Sequence, residues 1–342
     1  MKKMLIVICV ILIVAILGGV IYINIQGRNN SSNTSEENSI VNNNVINNNQ
    51  SQSDMSNTSE ITSATMEYTN AVPNNYFNEA SEQGRVERIE YQTYDYTQNN
   101  RQEITKPAYV YLPYGYDEND KNTKYNVFFF MHGWTGTAEG YFNYDNNAIV
   151  NVLDNMIQDN LIEPTIVVSL TFDAENQSQN FGRSTDEIAV YNQELRNELI
   201  PYIDANYNTY GTREHRAFGG FSLGAVTTWY QFQYNLDLIK YFIPMSGDSW
   251  IVQTYGGREE PEETANRLKQ IADSSNYDFY ICQTNGTNDA IFSQPDNQMK
   301  AMFKLTETFN SSNLIYLMRE GGYHDMDSVV ECTYNGLQRV FK

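Results

Sequence analysis

The 342-residue sequence predicts an α/β fold, a mostly parallel central sheet with helices on both faces. Three observations predict it. Short apolar runs such as residues 126–131 and 165–170 lack polar alternation, as strands covered on both faces do. Segments of helical periodicity fall between such runs, the order expected of a parallel sheet. A Gly-x-Ser-x-Gly sequence, Gly220-Phe221-Ser222-Leu223-Gly224, sits where one apolar run passes into a helical pattern.

Along the chain, residues 85–96 and 108–112 read as the first strands, with a turn at 121–124 ahead of the run at 126–131. After the run at 165–170 comes a long helical pattern over 186–207, carried by Ile188, Val190, Tyr191, Leu195, Leu199 and Ile200, with Pro201 placed to kink it. Further strands are expected at 217–221, 241–245, 279–283 and 314–318. Helices are expected at 223–234, 262–274, 298–309 and 326–341. In such sheets ligands and reactive groups collect at the carboxyl ends of the strands, so the loops there are the places to seek chemistry.

The N-terminus stands apart from this pattern. Residues 4–23 carry no charge and are about as long as a bilayer core requires, and Lys2 and Lys3 precede them. The end Leu17-Gly18-Gly19-Val20 offers no A-x-A-like cleavage site, so residues 1–27 read as an uncleaved signal-anchor rather than a removed signal. The two lysines place the N-terminus in the cytoplasm and the rest outside, at the membrane, or secreted if the segment is cleaved. Residues 28–67, rich in Asn, Ser, Gln and Thr and without periodic apolar positions, read as a disordered tether. Residues 68–342 are then one domain of ordinary α/β size.

Twenty-two Lys and Arg against 42 Asp and Glu leave a formal net charge of −20, which excludes a nucleic-acid partner for want of a basic stripe. Of three cysteines, Cys9 lies in the apolar N-terminal run, and Cys282 and Cys332 could form a disulfide outside the cell without needing one. His132, His215 and His324 are far apart with no paired ligand spacing, so no metal and no cofactor is implied.

Ser222 is the candidate nucleophile. The flanking glycines permit a sharp turn that lifts the serine oxygen above the sheet, at the N-terminus of the following helix. A serine hydroxyl needs a base to accept its proton, and His324, in Gly321-Gly322-Tyr323-His324-Asp325 after the last strand, is the candidate. The orienting acid should come from a strand end between the two. Asp289, in Gly286-Thr287-Asn288-Asp289, is preferred over Asp248, which follows the preceding strand. Asp325 is expected to cap the last helix, and His215 to be solvated. The N–H of Leu223 and one from the loop His132-Gly133-Trp134-Thr135-Gly136, at Trp134 or Thr135, are the expected oxyanion donors. Aromatic residues reach 13% of the chain, and Trp134 and Trp250 near strand ends are candidates to stack on a substrate ring, Trp250 as a substrate-binding residue.

Together the His132-Gly133 loop, the elbow running on into Ala225-Val226-Thr227-Thr228-Trp229, Pro244-Met245-Ser246-Gly247-Asp248, Gly286-Thr287-Asn288-Asp289 and Gly322-Tyr323-His324 resemble the esterase-D-like α/β-hydrolases. Within that group the chain is most similar to the feruloyl and acetyl xylan esterase modules of carbohydrate esterase family 1 type. The resemblance covers residues 85–342. It implies the α/β-hydrolase fold, with Ser222 as nucleophile, Asp289 as acid and His324 as base, acting on an ester-bearing polysaccharide or a small aryl or acyl ester. Trp134 stands where relatives often carry a small residue. Two other readings remain open on the sequence: an acyltransferase or peptidase using the same triad, and a non-catalytic surface-binding protein that keeps the fold.

Overall fold

The computed structural model describes residues 62–174 and 179–341. The apolar run at 4–23, Cys9, the expected signal-anchor and the tether up to residue 61 lie outside them. Among the described residues no helix is long and apolar enough to cross a membrane.

In chain order the elements are β1 Thr65–Tyr68, β2 Arg85–Tyr94, β3 Glu103–Leu112, β4 Asn126–Met131, α1 Ala148–Gln158, β5 Thr165–Leu170, α2 Phe181–Glu194, α3 Ile200–Asn206, β6 Arg216–Phe221, α4 Leu223–Tyr234, β7 Tyr241–Met245, α5 Pro261–Ser274, β8 Tyr280–Gly286, α6 Ser293–Met302, β9 Leu314–Arg319 and α7 Met326–Leu337. Among the described residues nine strands form one sheet in the order β1-β9-β8-β7-β6-β4-β5-β3-β2. Only β2 with β3, and β3 with β5, pair antiparallel. This is the α/β-hydrolase architecture expected from the sequence.

Every residue of β4 and β5 is buried, which accounts for their lack of polar alternation. Along β4 the side chains alternate between two cores. Val127, Phe129 and Met131 pack with residues of α2 and α4, such as Ile188 and Trp229. Phe128 and Phe130 face the opposite core, with Val152 of α1 and Val329 of α7. Two clusters of buried side chains thus flank the central strands, one on each face.

The structure differs from the sequence reading at several elements. Strand β1 begins at Thr65, ahead of the boundary at 68; its four residues are all exposed and it is held by parallel pairing with β9, so no apolar pattern marks it. Strand β3 starts at Glu103 rather than 108. Pro107 lies outside the stretch Tyr109–Tyr111 that pairs with β5, where a missing N–H is tolerated. The single helix expected over 186–207 is two. Helix α2 starts earlier, capped by the Asn180 side chain, which accepts from the Arg183 N–H at 3.2 Å. A wide π-type turn at Leu195–Leu199 leads into α3, with Pro201 in its first turn, where its missing N–H is harmless. Helix α6 runs Ser293–Met302 instead of 298–309, again with a proline, Pro295, inside its first turn. Helix α7 ends at Leu337, before the expected 341.

Candidate active site

Ser222 joins β6 to α4 with φ 58° and ψ −116°, a strained conformation for any residue but glycine. Its own N–H is satisfied by the Met245 carbonyl of β7 at 2.9 Å, which helps hold the turn. The flanking glycines are required by contact. A Cβ on Gly220 would stand 2.5 Å from the Met131 carbonyl oxygen, and one on Gly224 only 2.2 Å from the same atom. The carboxyl end of β4 thus lies directly against the elbow.

Asp289 and His324 are brought together by backbone. Their loops are laced by hydrogen bonds from Asn288 N–H to the Gly322 carbonyl (2.9 Å), from Thr287 N–H to the Arg319 carbonyl (3.0 Å) and from Gly321 N–H to the Thr287 hydroxyl (2.7 Å). A Cβ on Gly286 would come within 2.3 Å of the Gly322 oxygen, so only glycine lets the two loops meet. The His324 Nδ1 then lies 3.0 Å from both Asp289 carboxylate oxygens. Because a carboxylate only accepts, Nδ1 carries the proton and Nε2 is left with its lone pair. Asp289 Oδ1 also accepts from the Ile291 N–H at 2.8 Å, and the Asp289 side chain is 1% exposed against 26% for His324.

Ser222 and His324 line one cleft of about 370 Å³, with Trp134, Tyr141, Phe221 and Met326 among its walls. The Phe221 ring lies against the imidazole with centroids 4.4 Å apart. The Ser222 hydroxyl makes no hydrogen bond among the described residues; such contacts commonly tighten only when substrate binds. Asp248, the competing acid, accepts instead from the Trp250 indole N–H (2.9 Å) and the Arg258 N–H (3.1 Å), and burial pushes its carboxyl up to about 6. Asp325 caps α7 as expected, accepting from the Ser328 N–H at 2.9 Å.

The loop after β4 is built by His132. The ring is buried, and burial pushes its pKa down to about 4, so it stays neutral. Its Nδ1–H donates to the Gly133 carbonyl (2.7 Å) and its Nε2 accepts from the Thr171 hydroxyl (2.8 Å). The Gly133 carbonyl also accepts from the Gly136 N–H at 3.0 Å, closing a turn with Thr135 at φ 64°. Among the described residues no hydrogen bond engages the N–H of Trp134 or that of Leu223, the first residue of α4. Both flank the elbow.

Trp250 does not reach the cleft. It is 7% exposed, packed against Tyr255 at 5.0 Å and Phe181 at 6.4 Å, with its N–H spent on Asp248, so the expectation of a stacking surface there is replaced by a buried prop. Phe181 in turn supports Trp134, which is 43% exposed, edge to face at 5.2 Å. His215 is half-buried rather than solvated, bonded to the Asn126 side chain and stacked on Tyr210. Cys282 and Cys332 are both buried and unbridged. One participant escaped the sequence reading. Ser246, just after β7 and at φ 56°, donates its hydroxyl to Asp289 Oδ2 and lies 3.3 Å from His324 Nδ1.

The Esterase family model matches residues 101–333, a span that holds the elbow, Asp289 and His324. The chain belongs to the Esterase family. This esterase is 32% identical over 306 residues, 82% of its length, to endo-1,4-beta-xylanase Y of Acetivibrio thermocellus, of which it spans 26%. It is 38% identical over 126 residues to an endo-1,4-beta-xylanase/feruloyl esterase of Xylanibacter ruminicola, spanning 35% of this chain and 16% of that protein. The chain therefore corresponds to about a quarter or less of the curated relatives it matches. Among solved structures, the esterase is similar to a serine-to-alanine variant of the feruloyl esterase module of Clostridium thermocellum complexed with sinapinate. That likeness has 30% identity and a TM-score of 0.68, and covers 82% of this chain and 96% of the module.

Proposed function

We propose that this esterase is an extracellular serine enzyme, held to the membrane by its N-terminal segment, that releases feruloyl groups from plant polysaccharide. The observation that carries the reaction is the Asp289–His324 pair at 3.0 Å, with the imidazole opening on the same cleft as the strained elbow serine. His324 Nε2 accepts the Ser222 proton as Oγ attacks the ester carbonyl. The Leu223 and Trp134 N–H groups hold the oxyanion, and Asp289 stabilises the imidazolium. His324 then protonates the departing alkoxide and later activates the water that releases the acid.

The acyl side is read from the cleft. At about 370 Å³, with an indole and two phenyl-type rings among its walls, it suits an aryl acid. An acetyl group would leave most of it to water. The bound sinapinate of the Clostridium thermocellum module supports the same choice. Membrane attachment and outward topology rest on the uncharged run at 4–23 behind Lys2 and Lys3.

Turnover of methyl ferulate, acetylated xylan and a nitrophenyl acetate by the full chain tests the reading. Methyl ferulate should be preferred, and Ser222→Ala should lower kcat by ~10⁴-fold or more with the thermal midpoint little changed. Comparable turnover by the alanine variant would remove the mechanism, and preference for acetyl esters would move the substrate.

A further inference from the structure

We propose that a polar groove beside the catalytic cleft seats the sugar chain from which the acyl group is cut, and that it selects a neutral glycan over an acidic one. The inference rests on the esterase reading and adds to it the alcohol side of the ester. The catalytic cleft suits the acyl group, so the chain carrying the alkoxide must lie along a surface that begins at the scissile bond. A second cavity of about 460 Å³ does so. It shares Thr137 with the catalytic cleft, and its wall residue Thr171 bonds the His132 ring that shapes the oxyanion loop. Its volume lies within the ~300–1,000 Å³ usual for ligand sites.

The floor is the outer face of the β2–β3 hairpin, where Arg88 stands opposite Tyr109 and Glu90 opposite Pro107. Tyr109 and Pro107 offer flat apolar surface to the C–H faces of sugar rings, and Glu90 and Glu139 offer acceptors to hydroxyl groups. The charge balance then discriminates. Both lining cations are already paired, Arg88 with Glu90 at 2.7 Å and Lys106 with Glu194 at 2.9 Å, so Glu139 leaves the groove wall with an acidic excess. A uronate-bearing chain meets like charge there, whereas a neutral pentose or hexose chain meets only hydrogen-bonding groups.

The experiment compares kcat/KM of the full chain for methyl ferulate, a feruloylated neutral arabinoxylan oligosaccharide and a feruloylated oligouronide of equal length. The neutral oligosaccharide should exceed methyl ferulate on the order of ten-fold, and the oligouronide should lag at low salt and recover as salt screens the repulsion. Tyr109→Ala should cut the ratio of neutral oligosaccharide to methyl ferulate about ten-fold, and Glu139→Lys should raise the ratio for the oligouronide. Methyl ferulate turnover by each variant reports that it has folded. Equal kcat/KM for oligosaccharide and methyl ester in the wild type, or ratios unmoved by both variants, would overturn the groove while leaving the esterase standing. Absence of any methyl ferulate turnover would overturn the esterase reading itself, and the groove with it.

Discussion

Ser246 combines two demands that pull in opposite directions. At φ 56° its backbone favours glycine, yet its hydroxyl donates to the Asp289 carboxylate beside His324. We expect Ser246→Gly to keep or raise thermal stability while lowering kcat about ten-fold at nearly unchanged KM. The loss of about 1.5 kcal/mol is the lower end for a hydrogen bond to a charged group. A residue with a backbone role alone would leave kcat untouched, so steady-state kinetics beside thermal unfolding separates the two. The meeting of Asp289 with His324, on the cleft that Ser222 also lines, was legible because each of the three follows a strand in a glycine-marked segment. Ser246 was not, because its role depends on a left-handed backbone and on a neighbouring strand's loop that no local pattern encodes. Trp250 was misread for a related reason. An indole near a strand end reads as exposed surface until the buried carboxylate of Asp248, two residues away, is seen to take its N–H.

Elements were legible where burial is two-sided, as in β4 and β5, and obscure where pairing or capping alone makes them, as in β1 and the start of α2. Helix α1 is a different case. Its Ile149, Val152, Leu153 and Met156 follow the helical spacing, and the polar Asn151, Asp154 and Asn155 between them are also buried, bonded to the segment around Tyr76 and to Tyr111. The β2–β3 hairpin that floors the second groove is joined to α2 by a buried ion pair, Lys106 with Glu194 at 2.9 Å, and the Tyr91 hydroxyl also donates to Glu194. Burial pushes the Glu194 carboxyl upward and Lys106 opposes that push. Lys106→Met strands this carboxylate and should cost about 3–5 kcal/mol in urea unfolding, most of it regained in the double variant Lys106→Met/Glu194→Gln. Simple additivity of the two changes would show that the pair does not couple hairpin to helix.

Across the whole molecule, two buried groups near the site act on acid stability with opposite signs. His132 is held neutral with its pKa pushed down to about 4, so below the ordinary histidine value of about 6.5 the unfolded chain gains a proton that the native one refuses. Its contribution is present above pH 6.5 and lost as pH falls toward 4. Asp248 is pushed up to about 6, so the native chain takes a proton before the unfolded one does. Its contribution is present below about pH 4 and lost as pH rises through 6. One pKa unit corresponds to about 1.4 kcal/mol, so each group contributes about 3 kcal/mol across nearly the same window and the two largely cancel. Asp248→Asn keeps an acceptor for only one of the two donors, Trp250 or Arg258, at a cost that is the same at both pH values, and cannot titrate. Chemical unfolding at pH 6.5 and at pH 4 should show the variant losing about 3 kcal/mol more than the wild type on acidification, since His132 then acts unopposed. Parallel losses in both proteins would mean that Asp248 titrates at its ordinary value, and that the loop carrying Ser246 beside it is open to water.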